Sequence, residues 1–242
     1  MIFPASFSLR EVQRAERMDD PHCDPQALNQ TYAQFGAVNG LVAGWRQVYR
    51  RFLRPRLSVS RPNTLLDIGC GGGDVPRALA RWAARDGFAL RITAIDADAR
   101  AIAFAGAQPP VSGLHFRQAM SGNLVQEGQR FDLVTSNHLL HHLTVPELNA
   151  LLADSQVLCC GLGSGSGLVV HSDIQRSPLA YLGFGAGIAP LFRGSFIGQD
   201  GLLSIRRSFT AAELRELAPA DWTVRTLIPF RNLLMYEAPA RG

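Results

Sequence analysis

Lysine is absent from this chain of 242 residues: all 24 basic residues are arginine. A lysine-rich patch of the kind that follows a nucleic-acid backbone is excluded. The net charge of +4 and the pI near 9.2 still permit an anionic partner without demanding one. Cysteine is scarce. Cys23, Cys70, Cys159 and Cys160 form no CxxC pair and no disulfide framework, so a cytoplasmic, reducing location is the default. Long apolar runs are missing as well. The weakly polar stretch 178–192 is short and glycine-rich for a membrane span, which takes about 20 residues. MIFPASFSLR lacks the basic start and apolar run of a secretory leader. Low-complexity and collagen-like composition are absent too. What remains is 47% apolar and 18% charged, enough to bury one core in a compact domain, with or without a small cap.

The first 24 residues carry little pattern. From Pro25 to about Leu57, apolar residues recur at steps of three and four, including Leu28, Tyr32, Phe35, Val38, Trp45, Val48 and Phe52. Gly36, Gly40 and Gly44 weaken a single helix and suggest two with a break. Beyond Arg61-Pro62 the texture changes. TLLDI (64–68), LRITAI (90–95), residues 113–118, FDLVTS (131–136) and LVVHSDI (168–174) read as strands. Helices are expected over 75–85, 98–105 and 146–160, and GLGSGSG (161–167) reads as a loop. This alternation means βαβ units and a mostly parallel sheet. From Gln175 to about Ser208 the order lapses into a glycine-rich apolar segment. Thr210 and Glu213 then form a capping box, and a terminal strand pair closes the pattern.

The informative stretch is LLDIGCGGGDVPRAL (65–79), where a strand runs through Gly69, Gly71 and Gly73 into a helix. Glycine lets the backbone turn sharply and approach a ligand closely. AIDAD (94–98) places Asp96 at the end of the next strand, where a carboxylate accepts from both hydroxyls of a ribose. A dinucleotide fingerprint has its third glycine where this chain has Asp74. The glycines here run G-x-G-x-G, with Asp67 inside the preceding strand. A buried, unpaired carboxylate is expensive. Asp67 is awkward beside a pyrophosphate and useful beside a cationic amino-acid group. The set favours S-adenosylmethionine over NAD.

LLDIGCGGGD, AIDAD and FDLVTSNHLLHHL together resemble the class I S-adenosylmethionine-dependent methyltransferases, over roughly residues 60–175. More loosely, TYAQFGAVNGLVAGWRQVYRRFLRP and VVHSDIQRSPLAY are similar to small-molecule enzymes of the ubiquinone/menaquinone type or of aromatic and polyketide natural-product pathways. The resemblance implies an α/β fold. It is Rossmann-like and doubly wound, with a mostly parallel seven-stranded sheet, an antiparallel terminal strand and an N-terminal helical cap. The cap is expected over 1–60 and the methyltransferase domain over 61–242, with a lid-like insertion at about 175–208. Asp67, Gly69, Cys70, Gly71, Asp96, Ala97, Ala119, Met120 and Asn137 are the expected cofactor contacts. Ala119 or Met120 stands where the family often has an acid meeting the adenine amino group. Tyr32, Phe35 and Arg46 from the cap, with Arg176, are the expected acceptor contacts.

Methyl transfer is an in-line displacement, and an oxygen acceptor gains from a base. His138 and His142 of SNHLLHHL, four residues apart after the fourth strand, are the candidate bases. His141 is expected on another face. Asp173, on the fifth strand, is a candidate to orient a substrate hydroxyl or to pair with Arg176. His171 is a weaker candidate on the same face. No metal is implied, because the three histidines share one turn with no acid cluster beside them in the sequence. The expected function is methylation of a small apolar acceptor, phenolic, quinol-like or polyketide-like. No nucleic-acid partner is expected and the oligomeric state is open. A nucleic-acid methyltransferase and a non-catalytic protein of this fold are the alternatives. The first lacks an NPPY-type motif where SNHL stands.

Overall fold

The computed structural model describes residues 7–159 and 167–238. Cys160 and most of the loop expected at 161–167 lie outside them. Seven strands form one sheet: β1 (Asn63–Ile68), β2 (Leu90–Asp96), β3 (Leu114–Gln118), β4 (Leu133–Asn137), β5 (Leu168–Ile174), β6 (Trp222–Leu227) and β7 (Arg231–Glu237). Their order is β3-β2-β1-β4-β5-β7-β6, parallel from β3 to β5, with β7 antiparallel to both of its neighbours. The central strands β1, β4 and β5 are buried nearly throughout because both faces are covered, whereas the edge strands β3 and β6 are largely exposed. Leu65, Ile92, Leu133 and Val170 face one core, and Leu66, Ile95, Val134 and Val169 the other. Nine helices complete the described chain: α1 (Pro25–Val42), α2 (Trp45–Val48), α3 (Asp74–Arg85), α4 (Ala99–Ala107), α5 (Ser121–Gln126), α6 (Val145–Leu158), α7 (Pro178–Gly183), α8 (Ile197–Arg207) and α9 (Ala211–Leu217). The first core takes side chains from α3 and from residues 43–57. The second takes them from α5, α6 and α9. Each buried leucine contributes about 1.5–3 kcal/mol through removal from water.

Strand order reverses direction between β1 and β4, which opens a crevice at their C-terminal ends. The glycine loop sits there. Gly73 adopts φ +80°, and a Cβ on it would lie 2.6 Å from the Phe116 ring. Both the backbone conformation and the space require glycine.

Over the crevice lies α1, whose N-terminus is capped by Asp24, with Pro25 in its first turn. The helical pattern breaks at Gly44, which is left-handed at φ +66°, as the glycines suggested. The stretch 175–208 differs from its reading. It is mostly helical rather than without regular order, because Ala180, Phe184, Ile197 and Ile205 bury against Val38 of α1. Ahead of α1, residues 7–24 form a strap across the crevice. Arg17 N and Met18 N donate to the Asp200 carboxylate on α8 at 2.9 and 3.0 Å. Arg10 Nε donates to Arg207 O at 2.6 Å, and its guanidinium also reaches His141 O and Leu143 O. Among the described residues no helix is long and apolar enough to cross a membrane.

Candidate cofactor and acceptor site

The crevice is a cavity of about 940 Å³. At its glycine-loop end stand three carboxylates, Asp67, Asp74 and Asp96. Asp67 projects from β1 and accepts from Thr135 Oγ1 at 2.7 Å. Burial pushes its carboxyl up to about 7, and the Thr135 donation opposes that only in part. Asp96 accepts from Gly71 N at 2.8 Å and from Asp98 N at 2.9 Å. It therefore ties the glycine loop to the end of β2. Burial raises its carboxyl too, against those two donations. Asp74, at the start of α3, accepts from Asn39 Nδ2 at 2.9 Å, which links α1 to the loop. Asp98 caps α4 through Arg100 N at 2.8 Å.

Gly69, Cys70, Gly71, Ala97, Ala119, Met120 and Asn137 also line the cavity. Met120 is 62% exposed, an apolar surface where the acid was missed. Asn137 Oδ1 accepts from Arg231 Nη2 at 2.7 Å, so its carbonyl is committed to β7. Tyr32 and Phe35 of α1 line the cavity, and Tyr32 packs edge-on against Phe35.

The same cavity is lined by the three histidines of the turn after β4. His141 is the buried one. Its Nδ1 donates to Asp173 Oδ1 at 2.8 Å, and its main-chain N donates to Asp173 Oδ2 at 2.8 Å. Its Nε2 faces Glu16 Oε1 at 3.4 Å. Burial alone would lower its pKa, yet Asp173 and Glu16 raise it to about 10, so an imidazolium sits between two carboxylates. Burial likewise disfavours the Asp173 carboxylate, but His141 brings it well below the ordinary range.

His142 is half-buried. Its Nδ1 donates to Asp19 Oδ2 at 3.1 Å, and its Nε2 lies 3.9 Å from Glu16 Oε2, at the cavity wall. His138 has a left-handed backbone, φ +55°, a conformation that costs about 1–3 kcal/mol outside glycine. Its N–H donates to Ser172 O at 3.0 Å. Arg231 can only donate, so the 2.9 Å contact of its Nη1 to His138 Nε2 takes that nitrogen's lone pair. Burial and the Arg231 charge hold His138 well below its ordinary pKa. His138 is thus neutral with its proton on Nδ1, able to donate but unable to serve as the base in this arrangement.

Four sequence expectations need correction. Asp173 is 2% exposed, lies outside the cavity lining and pairs with His141 rather than Arg176. It positions a histidine and does not reach a substrate. Arg176 is buried beyond the end of β5, donating to Phe7 O, Ser208 O and Glu213. Arg46 is exposed on the first turn of α2, outside the cavity lining. His171 is a core residue between Ser136 Oγ and Ser155 Oγ, stacked on Trp222. Glu16, Asp19 and Arg231 went unread in the sequence. The first two lie in a segment without periodicity, and the third looks like an ordinary strand residue.

Sheet order and the crevice at the ends of β1 and β4 give the chain a fold similar to that of a methyltransferase solved with S-adenosylmethionine. Residues 65–159 match the family described as Methyltransferase domain. The ubiquinone biosynthesis O-methyltransferase of Roseobacter denitrificans is 33% identical over 120 residues, 49% of this chain and 44% of that protein. Its counterpart in Pseudomonas fluorescens is 32% identical over 121 residues, 49% of this chain and 47% of that protein. The chain thus spans less than half the length of these curated relatives. In fold it is similar to human N-acetylserotonin methyltransferase, solved in complex with S-adenosylmethionine. The TM-score is 0.60 at 14% identity, covering 89% of this chain and 56% of that one.

Proposed function

We propose that this chain transfers the methyl group of S-adenosylmethionine to a hydroxyl of a small apolar acceptor of the phenolic or quinol class. The observation that carries the reading is one cavity lined both by carboxylates around a glycine loop and by a turn of three histidines. The donor set fits the cofactor. Asp96 is placed for ribose hydroxyls, and Asp67 and Asp74 for a cationic amino-acid group. Bound S-adenosylmethionine supplies a methyl already activated on a sulfonium. The chain's own work is to align the acceptor, exclude water and take a proton. His142 is the histidine suited to the last task, because Asp19 holds its Nδ1 proton and leaves Nε2 toward the cavity. Phe35, Val38, Val42, Leu139 and Phe184 give the lining its apolar part. The names of the curated relatives support oxygen as the acceptor atom. A cytoplasmic location is part of the same proposal.

The test is calorimetric titration with S-adenosylmethionine, S-adenosylhomocysteine and NAD, followed by turnover on a panel of phenols and quinols. Binding of the first two at micromolar levels and none of NAD is expected. NAD binding without the others would overturn the reading.

Asp96→Ala should weaken S-adenosylhomocysteine by about 1–3 kcal/mol, since the ribose loses a charged acceptor. The same change unties Gly71 N, so Asp96→Asn, which keeps a carbonyl acceptor, should lose less. Equal affinity of Asp96→Ala and the unmodified protein would remove the ribose assignment.

Asp67 gives a pH dependence. Its raised pKa, about 7, means the ligand-free carboxyl is protonated below that point. A cationic ligand selects the carboxylate, so binding below about pH 7 expels a proton. Affinity for S-adenosylhomocysteine should therefore rise by about tenfold from about pH 6 to about pH 8 and then level off. Asp67→Asn should flatten the profile. A profile unaffected by that substitution would assign the titration elsewhere.

A further inference from the structure

Two histidine–carboxylate pairs aim their Nε2 atoms at one carboxylate. His141 is oriented by Asp173 on its Nδ1, and His142 by Asp19 on its Nδ1. Their Nε2 atoms lie 3.4 and 3.9 Å from the two oxygens of Glu16. One ligand atom from each of Glu16, His141 and His142 falls within 4.8 Å of the other two. Around a tetrahedral cation with bonds near 2.1 Å, adjacent ligand atoms stand about 3.4 Å apart. The spacing needs only small adjustments; the cation takes the place of the proton on His141 Nε2, and with the cation bound His142 is a ligand and not the base. Ser204 Oγ donates to Glu16 Oε1 at 2.8 Å and fixes that carboxylate in turn. Arg207 Nε approaches no nearer than 4.0 Å. Outer partners of this kind, a carboxylate on the far nitrogen of each imidazole, are what orient metal-ligating histidines. All three residues line the cavity.

We propose that Glu16, His141 and His142 form a binding site for a divalent transition cation, with a coordination position open to the acceptor end of the cavity. Two imidazoles and one carboxylate suit zinc or cobalt over magnesium or calcium. The histidine stretch alone gave no reason to expect a metal, and the strap supplies the missing acid. A second grouping, His138 with His141 and Asp173, is a poorer site. Asp173 already accepts from His141 Nδ1 and from two main-chain N–H groups, and His138 Nε2 faces the Arg231 cation. The cation's role rests on the methyl-transfer reading. At the open position it would take the acceptor oxygen and lower that hydroxyl's pKa, the proton leaving to solvent.

The experiment uses tag-free full-length protein, stripped with chelator, dialysed and titrated with Co²⁺ by visible absorption, with Zn²⁺ as competitor. One Co²⁺ per chain with the bands of a four- or five-coordinate site is expected. Glu16→Gln and His142→Ala should each weaken it by about 100-fold or more, and Asp173→Asn by about 10–100-fold. Circular dichroism and S-adenosylhomocysteine affinity should stay unchanged in Glu16→Gln. Equal Co²⁺ affinity in the unmodified protein and in both Glu16→Gln and His142→Ala overturns the site. Turnover that survives chelation overturns the acceptor role and leaves His142 as the base. Failure of the methyl-transfer reading is distinguishable, because it shows as absent cofactor binding whatever the metal result.

Discussion

Asp173→Ala is expected to lower the unfolding free energy by about 3–5 kcal/mol, the cost of leaving a buried charge without its partner. The carboxylate holds three N–H groups: the His141 ring, the His141 main chain and Ile174 N. Alanine leaves all three without their acceptor and leaves the His141 imidazolium with Glu16 alone. Nothing nearby can replace it, since Arg231, on the adjacent strand β7, is itself a cation. Asp173→Asn keeps the shape and part of the acceptor capacity and should cost less. Urea unfolding followed by far-ultraviolet circular dichroism measures both. A loss below about 1 kcal/mol in the alanine variant would show that His141 simply deprotonates and that the pair contributes little.

His142→Ala should reduce turnover by about 100-fold or more while S-adenosylhomocysteine affinity changes by less than about twofold. The separation follows from role: in the proposed reaction His142 acts on the acceptor hydroxyl, whereas Asp67, Asp74 and Asp96 hold the cofactor. His138→Ala should cost less in turnover, because Arg231 already occupies its lone pair. Steady-state kinetics with separate kcat and KM, alongside calorimetry, tests the pair. If His138→Ala is the more damaging, His138 must turn away from Arg231 in the working complex, and the assignment reverses. If His142→Ala loses binding and turnover in parallel, its role is structural.

The strands were legible because each is a short apolar run with punctuation at its ends, and Asp67 and Asp96 stood out as charges within or ending such runs. The partners of the histidines were not legible. Glu16 and Asp19 lie more than a hundred residues before the residues they face, in a stretch whose conformation is set by contacts with α8 rather than by its own periodicity. Asp173 and Arg176 looked like a pair from proximity along the chain. The strand end turns Asp173 toward His141 and Arg176 toward Glu213. The 175–208 stretch misled through its glycines. Each costs a helix about 1 kcal/mol, and burial of Phe184, Ile197 and Ile205 outweighs that. The break at Gly44 was legible because the residue carries its own conformational reason, φ +66°.

The Asp200 clamp has a kinetic consequence. The strap that brings Glu16 and Asp19 to the cavity is held largely by polar contacts, and local opening of such a segment takes less free energy than global unfolding. It is the part of the wall that can swing aside while the sheet stays intact. Opening of the strap would take Asp19 from His142 and Glu16 from both histidines, while Asp173 stays with His141 on β5. If the strap opens locally, the acceptor site loses those two acids while the sheet stays intact.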